Sequence, residues 1–122
     1  MTQRTENPWL VEVVDPELVG RLAARHTPNP KAVELGVDVV GDPHREDDAG
    51  HNWAVLSDAR NVEDLVPGSA VVMGSPIGRY LAKVIAWDFE VSDEDPIVTL
   101  QLLPIRPSEV ERLLGRNRTS AA

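Results

Sequence analysis

Asp42, His44, Arg45, Glu46, Asp47, Asp48 and His51 crowd into one short segment of the chain. Histidine nitrogen and carboxylate oxygen both ligate zinc, manganese or iron. His44, His51, Asp47 and Asp48 are therefore the candidate metal ligands, with the two histidines approaching each other across a glycine-bearing loop. A small metal-dependent enzyme built on this loop is one alternative function. The spacing matches no named motif, neither a His-Glu-x-x-His helix nor a calcium loop. A solvated loop of charged residues accounts for the same letters. His26 reads as a helix-end residue.

General acid/base work needs two carboxylates, or a carboxylate and a histidine, held in a cleft. Asp88 and Glu90 are two apart, so on a strand they share one face. The competing reading is a solvent-facing strand end that runs into the acidic turn Asp93-Glu94-Asp95. Ser69 and Ser75 sit beside glycine or proline in turns, without a nucleophile elbow. Gly74 to Gly78 lacks the ending of a phosphate loop. No residue is singled out as catalytic, and no cofactor is implied.

Binding chemistry has more to draw on. Trp53, Tyr80, Trp87 and Phe89 are candidates to line a groove, and small β-barrels bind peptides or bases through such residues. At least two of them are expected in the core, because the chain has only three tryptophans, one tyrosine and one phenylalanine. Arg79 and Lys83 share a strand face where an anion could bridge them, with Arg60 as a third basic group. A nucleic-acid-binding barrel on these three residues is a second alternative. Salt bridges to the abundant acids are the duller account.

The elements that must position these groups centre on residues 67–105. Pro67-Gly68 opens the stretch, Ala70 to Met73 is a short apolar strand, and Gly74 to Gly78 is a turn. Tyr80 to Val91 reads as a long strand. Its odd positions (Leu81, Lys83, Ile85, Trp87, Phe89, Val91) form a bulky apolar face, and its even positions begin small and end acidic. That pattern predicts a bent strand in a partly open barrel. Ile97 to Leu103 alternates cleanly, with Val98, Leu100 and Leu102 inward. Its Thr99 and Gln101 face could meet a second copy through an open strand edge, which makes a homodimer one expectation; cover by the C-terminal helix of the same chain, through Val110, Leu113 and Leu114, is the competing one.

Upstream, Trp9 to Val14 reads as a strand and Asp15-Pro16 as the N-cap and first residue of a helix. Lys31 to Val40 suggests a strand interrupted at Gly36, and 41–52 a polar loop. Trp53 to Leu56 reads as a strand, Ser57 to Asn61 as a turn and Val62 to Val66 as one helical turn. Downstream, Ser108 to Glu111 matches a capping box, and Val110, Leu113 and Leu114 form an apolar stripe ending at Gly115.

A length of 122 residues predicts one domain with one real core. The expected division is a flexible arm over 1–8, a globular domain over 9–115 and a tail over 116–122. The absence of cysteine excludes disulfides, thiolate metal sites and thiol nucleophiles, and fits a reducing compartment such as a bacterial cytoplasm. No stretch approaches the length of a membrane span. A formal net charge of -8 disfavours nucleic acid and favours a protein, peptide or small-molecule partner.

The turn, strand, glycine loop, long strand, acidic turn and strand of 67–105 resemble, in pattern only, a small SH3-like or related barrel. The fold expected is thus mainly β (a β-rich α+β chain): a small, partly open barrel with a short N-terminal helix and a C-terminal closing helix. The function expected is non-catalytic binding or accessory work with a protein or peptide partner. Such a module should show an exposed apolar patch, expected near Trp87 and Phe89.

Overall fold

The computed structural model describes residues 8–105, together with Glu109 and Arg112. Its strands are β1 (Leu10–Val11), β2 (Val39–Val40), β3 (Asn52–Val55), β4 (Ala70–Ser75), β5 (Gly78–Asp88) and β6 (Ile97–Leu102). Its helices are α1 (Pro16–Arg25) and α2 (Pro30–Leu35), and two 3-10 turns at Leu56–Asp58 and Val62–Leu65 lie between β3 and β4. The strands make one sheet in the order β2-β4-β5-β6-β3, with β1 also paired to β5. Among the described residues only β2 and β4 run parallel. The chain is mainly β, with short helices on a curled, partly open half-barrel.

The long strand β5 organises the rest. Its first half pairs with β4. Its second half pairs with β6, and Trp87 and Asp88 also pair with Val11 and Leu10. β1 therefore continues the edge that β4 leaves. Beyond β3 the sheet curls until Ala59 bridges back to Val39 of β2, and the Arg60 amide donates to the Asp38 carbonyl at 2.8 Å. The ring is thus closed at one point.

A bulge between Val84 and Ala86 explains the mixed burial of β5. Before it, even residues (Ala82, Val84) face the core; after it, Trp87 does, because one extra residue reverses the alternation. The expected continuous odd face is therefore not what forms: Leu81 packs outside, with Ala32, Val37 and Val72. Inside the barrel Val71, Met73, Ala82, Val84, Trp87, Val98, Leu100 and Ala54 are buried together. Val19 and Leu22 of α1 join that core beside the Val62–Leu65 turn.

α1 begins as its sequence demands. The Asp15 carboxylate accepts from the Glu17 amide at 3.0 Å, and Pro16 fills a position whose amide needs no partner. The same device starts α2, where a strand was expected over 31–40. The Asn29 side chain accepts from the amides of Lys31 (2.9 Å) and Ala32 (3.1 Å). Gly36 closes α2 in the left-handed conformation at φ 71°, its amide donating back to Ala32 and Val33. Only Val39–Val40 of that segment is strand.

Three other expectations change. The strand expected over 9–14 is only Leu10–Val11. β5 ends at Asp88, not at Val91. β6 is no open edge, since β5 and β3 flank it. Thr99 is buried on it, while Gln101 is exposed. The expected helix at 108–115 lies outside the described residues, except that Glu109 and Arg112 are helical and exposed. Residues 1–7 of the arm expected over 1–8, and the tail at 116–122, also lie outside them. Among the described residues no helix is long and apolar enough to cross a membrane.

Candidate functional site

The loop over 42–51 is ordered by its own polar groups. Asn52, nearly fully buried on β3, donates from Nδ2 to the carbonyls of Pro43 (2.8 Å), Arg45 (3.0 Å) and Asp42 (3.3 Å). The Asp47 carboxylate accepts from the amides of Ala49 and His51, both at 2.9 Å. Gly50 takes the positive φ of 83° that this tight return requires. Asp42 Oδ1 accepts from the His44 amide at 2.9 Å and lies 3.2 Å from the His44 ring nitrogen. That amide, foremost, holds the Asp42 carboxyl below its ordinary value. These bonds shape a loop instead of a coordination sphere: among the described residues no three histidine or carboxylate side chains come together to hold a metal. His44, His51, Asp47 and Asp48 do not converge as the metal reading requires.

The remaining expected residues scatter. Trp87 is fully buried, and its indole N–H donates to the Leu65 carbonyl at 2.8 Å. It holds a turn against the barrel and has no surface for a ligand. Phe89 and Tyr80 are half-buried against the same core, and the Phe89 ring lies 6.2 Å from that of Trp87. Trp53 is half-buried, with the Arg45 guanidinium 4.8 Å above its ring. Arg79 donates from Nη2 to the Leu35 carbonyl at 2.6 Å, which fastens the end of α2. Lys83 and Arg60 are exposed. Asp88 accepts from the Glu90 amide at 2.9 Å, and Glu90 lies past the strand end. The two acids therefore shape a turn and do not share a strand face.

Two concave regions were not foreseen. The first is a groove of 330 Å3 lined by Glu12, Val13, Val14, Pro16, Val19, Val66 and Pro67. Val13 of its lining is 87% exposed, and beside it in sequence are the exposed Trp9 (50%) and Leu10 (40%). The Phe89 amide donates to the Trp9 carbonyl at 3.0 Å and fixes this segment along β5. The signal in the sequence is the apolar residues Trp9, Leu10, Val11, Val13 and Val14, whose pattern is that of an ordinary strand.

The second is a cleft of 420 Å3 between the residues after β2 and the β4–β5 hairpin. Asp42, His44, Arg45, Asp58, Ser75, Pro76 and Ile77 contribute to it. Asp58 is half-buried and accepts from the Val55 amide through Oδ2 at 3.1 Å. Burial, with the charge of Asp95 adding to it, raises the Asp58 carboxyl above its ordinary 3.8. An acid whose pKa rises on folding prefers its neutral form in the folded state. Its share of stability is present below 3.8 and is lost as pH rises through the raised value. Asp58→Asn keeps an oxygen for the Val55 amide and removes the charge. Urea midpoints should therefore shift in favour of the variant, relative to the parent, between acid and neutral pH. A relative shift toward the parent would contradict the assignment.

Comparison with protein-family models, with curated proteins and with solved structures found no match to this chain, so its function rests on these surfaces alone.

Proposed function

We propose that this chain is a non-catalytic binding module that takes an extended segment of a protein partner along β1. The supporting observation is the exposed Trp9, Leu10 and Val13 at the margin of the sheet, next to a largely apolar groove. Among the described residues β1 pairs only with β5, so its outer edge can accept a further strand. Backbone hydrogen bonds would then give affinity, and the groove would select side chains. The reading includes an SH3-like or related identity for the half-barrel and a cytoplasmic setting. It also allows a second copy of the chain as the partner, pairing β1 to β1 about a two-fold axis.

Selection from a displayed library of random peptides tests it. Enriched peptides should carry alternating apolar residues, and Trp9→Ser with Val13→Asp should weaken them by about tenfold or more. Both positions are exposed, so the fold should survive. No enrichment, or undiminished binding by the double variant, would overturn the reading. Sedimentation across concentration separates the self-pairing case: a monomer mass throughout removes the second copy.

A further inference from the structure

We propose that the strand taken along β1 is a basic one: an extended segment of a different protein, in which Lys or Arg is interleaved with apolar residues. The proposal rests on recognition along β1 and names the kind of strand that β1 would take.

The exposed apolar edge makes the surface, and the charges around it choose the occupant. Three stretches of chain meet at this margin of the sheet. Residues 8–20 supply β1 and most of the groove. Residues 61–78 supply Val66 and Pro67 of the groove wall. Residues 84–96 hold the end of β5, to which β1 pairs. The first stretch carries Glu12, Asp15 and Glu17, and the second Glu63 and Asp64. The third carries Asp88, Glu90 and the acidic turn that follows. All twelve Lys and Arg of the chain lie outside these stretches, so the acids here have no base of their own segments to balance them. Among the described residues Glu12 is the one charged side chain in the groove lining. Among them, too, the one ion pair that enters these stretches joins Arg25 to Glu94 at 3.7 Å and leaves Glu12 and Glu90 aside.

Side chains directly opposite on neighbouring strands stand about 5 Å apart at Cβ, where opposite charges attract and like charges repel. Glu12 is exposed and directly follows β1, so Lys or Arg is the favoured neighbour for it on an added strand. Asp88 lies opposite Leu10 in the register, one strand further in. Two strand spacings put it about 10 Å from an added strand, near the Debye length at 0.1 M salt. Long basic side chains would lay their stems on Leu10 and Trp9, and a guanidinium would also find the exposed Trp9 ring. The same charges oppose a second copy as the occupant. Pairing β1 to β1 about a two-fold axis brings Glu12 and the acids beside it against their own counterparts, with no base in 8–20 to offset them. The net charge of -8 further favours the approach of a basic partner.

Three displayed libraries test it, each alternating random apolar residues with one polar kind: Lys or Arg, Ser or Gln, Asp or Glu. The basic library should be enriched about tenfold or more over the acidic one, with the neutral library between them. A synthetic peptide from the basic library should bind severalfold more weakly as salt rises from about 0.1 M to about 1 M, which shortens the Debye length from about 10 Å to about 3 Å. Glu12→Gln with Glu90→Gln should weaken that peptide severalfold more than a peptide from the neutral library. Both positions are exposed, so the fold should survive. A scrambled peptide of the same composition, with its bases and apolar residues in separate blocks, should bind about tenfold more weakly. Equal enrichment of the three libraries, or preference for the acidic one, would overturn the basic partner and leave recognition along β1 standing. Equal binding of the scrambled peptide would reduce the effect to general attraction and overturn it as well. A dimer whose residues 10–13 are protected from amide exchange would put a second copy in the place of the basic strand. No enrichment from any library, or basic peptides undisturbed by Trp9→Ser with Val13→Asp, would overturn both readings together.

Discussion

Trp87→Ala should come close to unfolding the chain. The ring is fully buried at the junction of β5, β6 and the Val62–Leu65 turn, and Trp87 pairs with both Val11 and Val98. Truncating a buried tryptophan costs about 3–5 kcal/mol. The Leu65 carbonyl also loses its indole donor, which costs about 1–3 kcal/mol more if the group stays buried. Domains of this size are stable by only about 5–15 kcal/mol, so the sum takes most of the margin. Trp87→Phe restores a ring without the donor and should lose much less. Urea unfolding followed by circular dichroism measures both. A loss below about 1 kcal/mol for the alanine variant would show that Trp87 is not the anchor described.

Gly74→Ala should be the second large effect, for a steric reason. A Cβ there would stand 2.5 Å from Val37 Cγ1 and 3.2 Å from Val37 Cβ. Val37 is buried, and its branched side chain has little freedom to turn away. Overpacking of this kind costs about 1–3 kcal/mol. Gly41→Ala is the control. Its nearest atoms are Sδ and Cγ of Met73, a flexible side chain that can move aside more cheaply. Val37→Ala should remove the shortest contact, that to Cγ1, so Gly74→Ala in that background should cost less than alone. Strict additivity of the two substitutions would contradict a direct contact.

The barrel was largely legible because its signals are local. Asp15-Pro16 carries a cap in two letters, and Val98, Leu100 and Leu102 alternate as a strand must. Asn29-Pro30 carries the same cap as α1. The apolar residues Val33, Leu35 and Val37 to Val40 masked it, because a short helix and a short strand then share one pattern. The bulge in β5 was illegible for a related reason: Leu81 to Trp87 is apolar almost throughout, so no letter shows which residue is extra. Sites were harder still. Trp87 looked available because its partner, the Leu65 carbonyl, comes from a turn remote in sequence. Asp58 read as one more turn residue, and only folding brings it to the same cleft as Asp42 and Ile77. Trp9, Leu10 and Val13 read as an ordinary first strand, and their exposure depends on how little of that segment pairs with β5.

Amide hydrogen exchange of the chain with and without a peptide enriched by selection tests the binding reading most directly. If the partner adds a strand to the sheet, amides of residues 10–13 should gain protection on binding, and those of β6 should change little. Protection confined to other parts of the chain, or unchanged exchange over residues 10–13 at saturating peptide, would contradict recognition along β1.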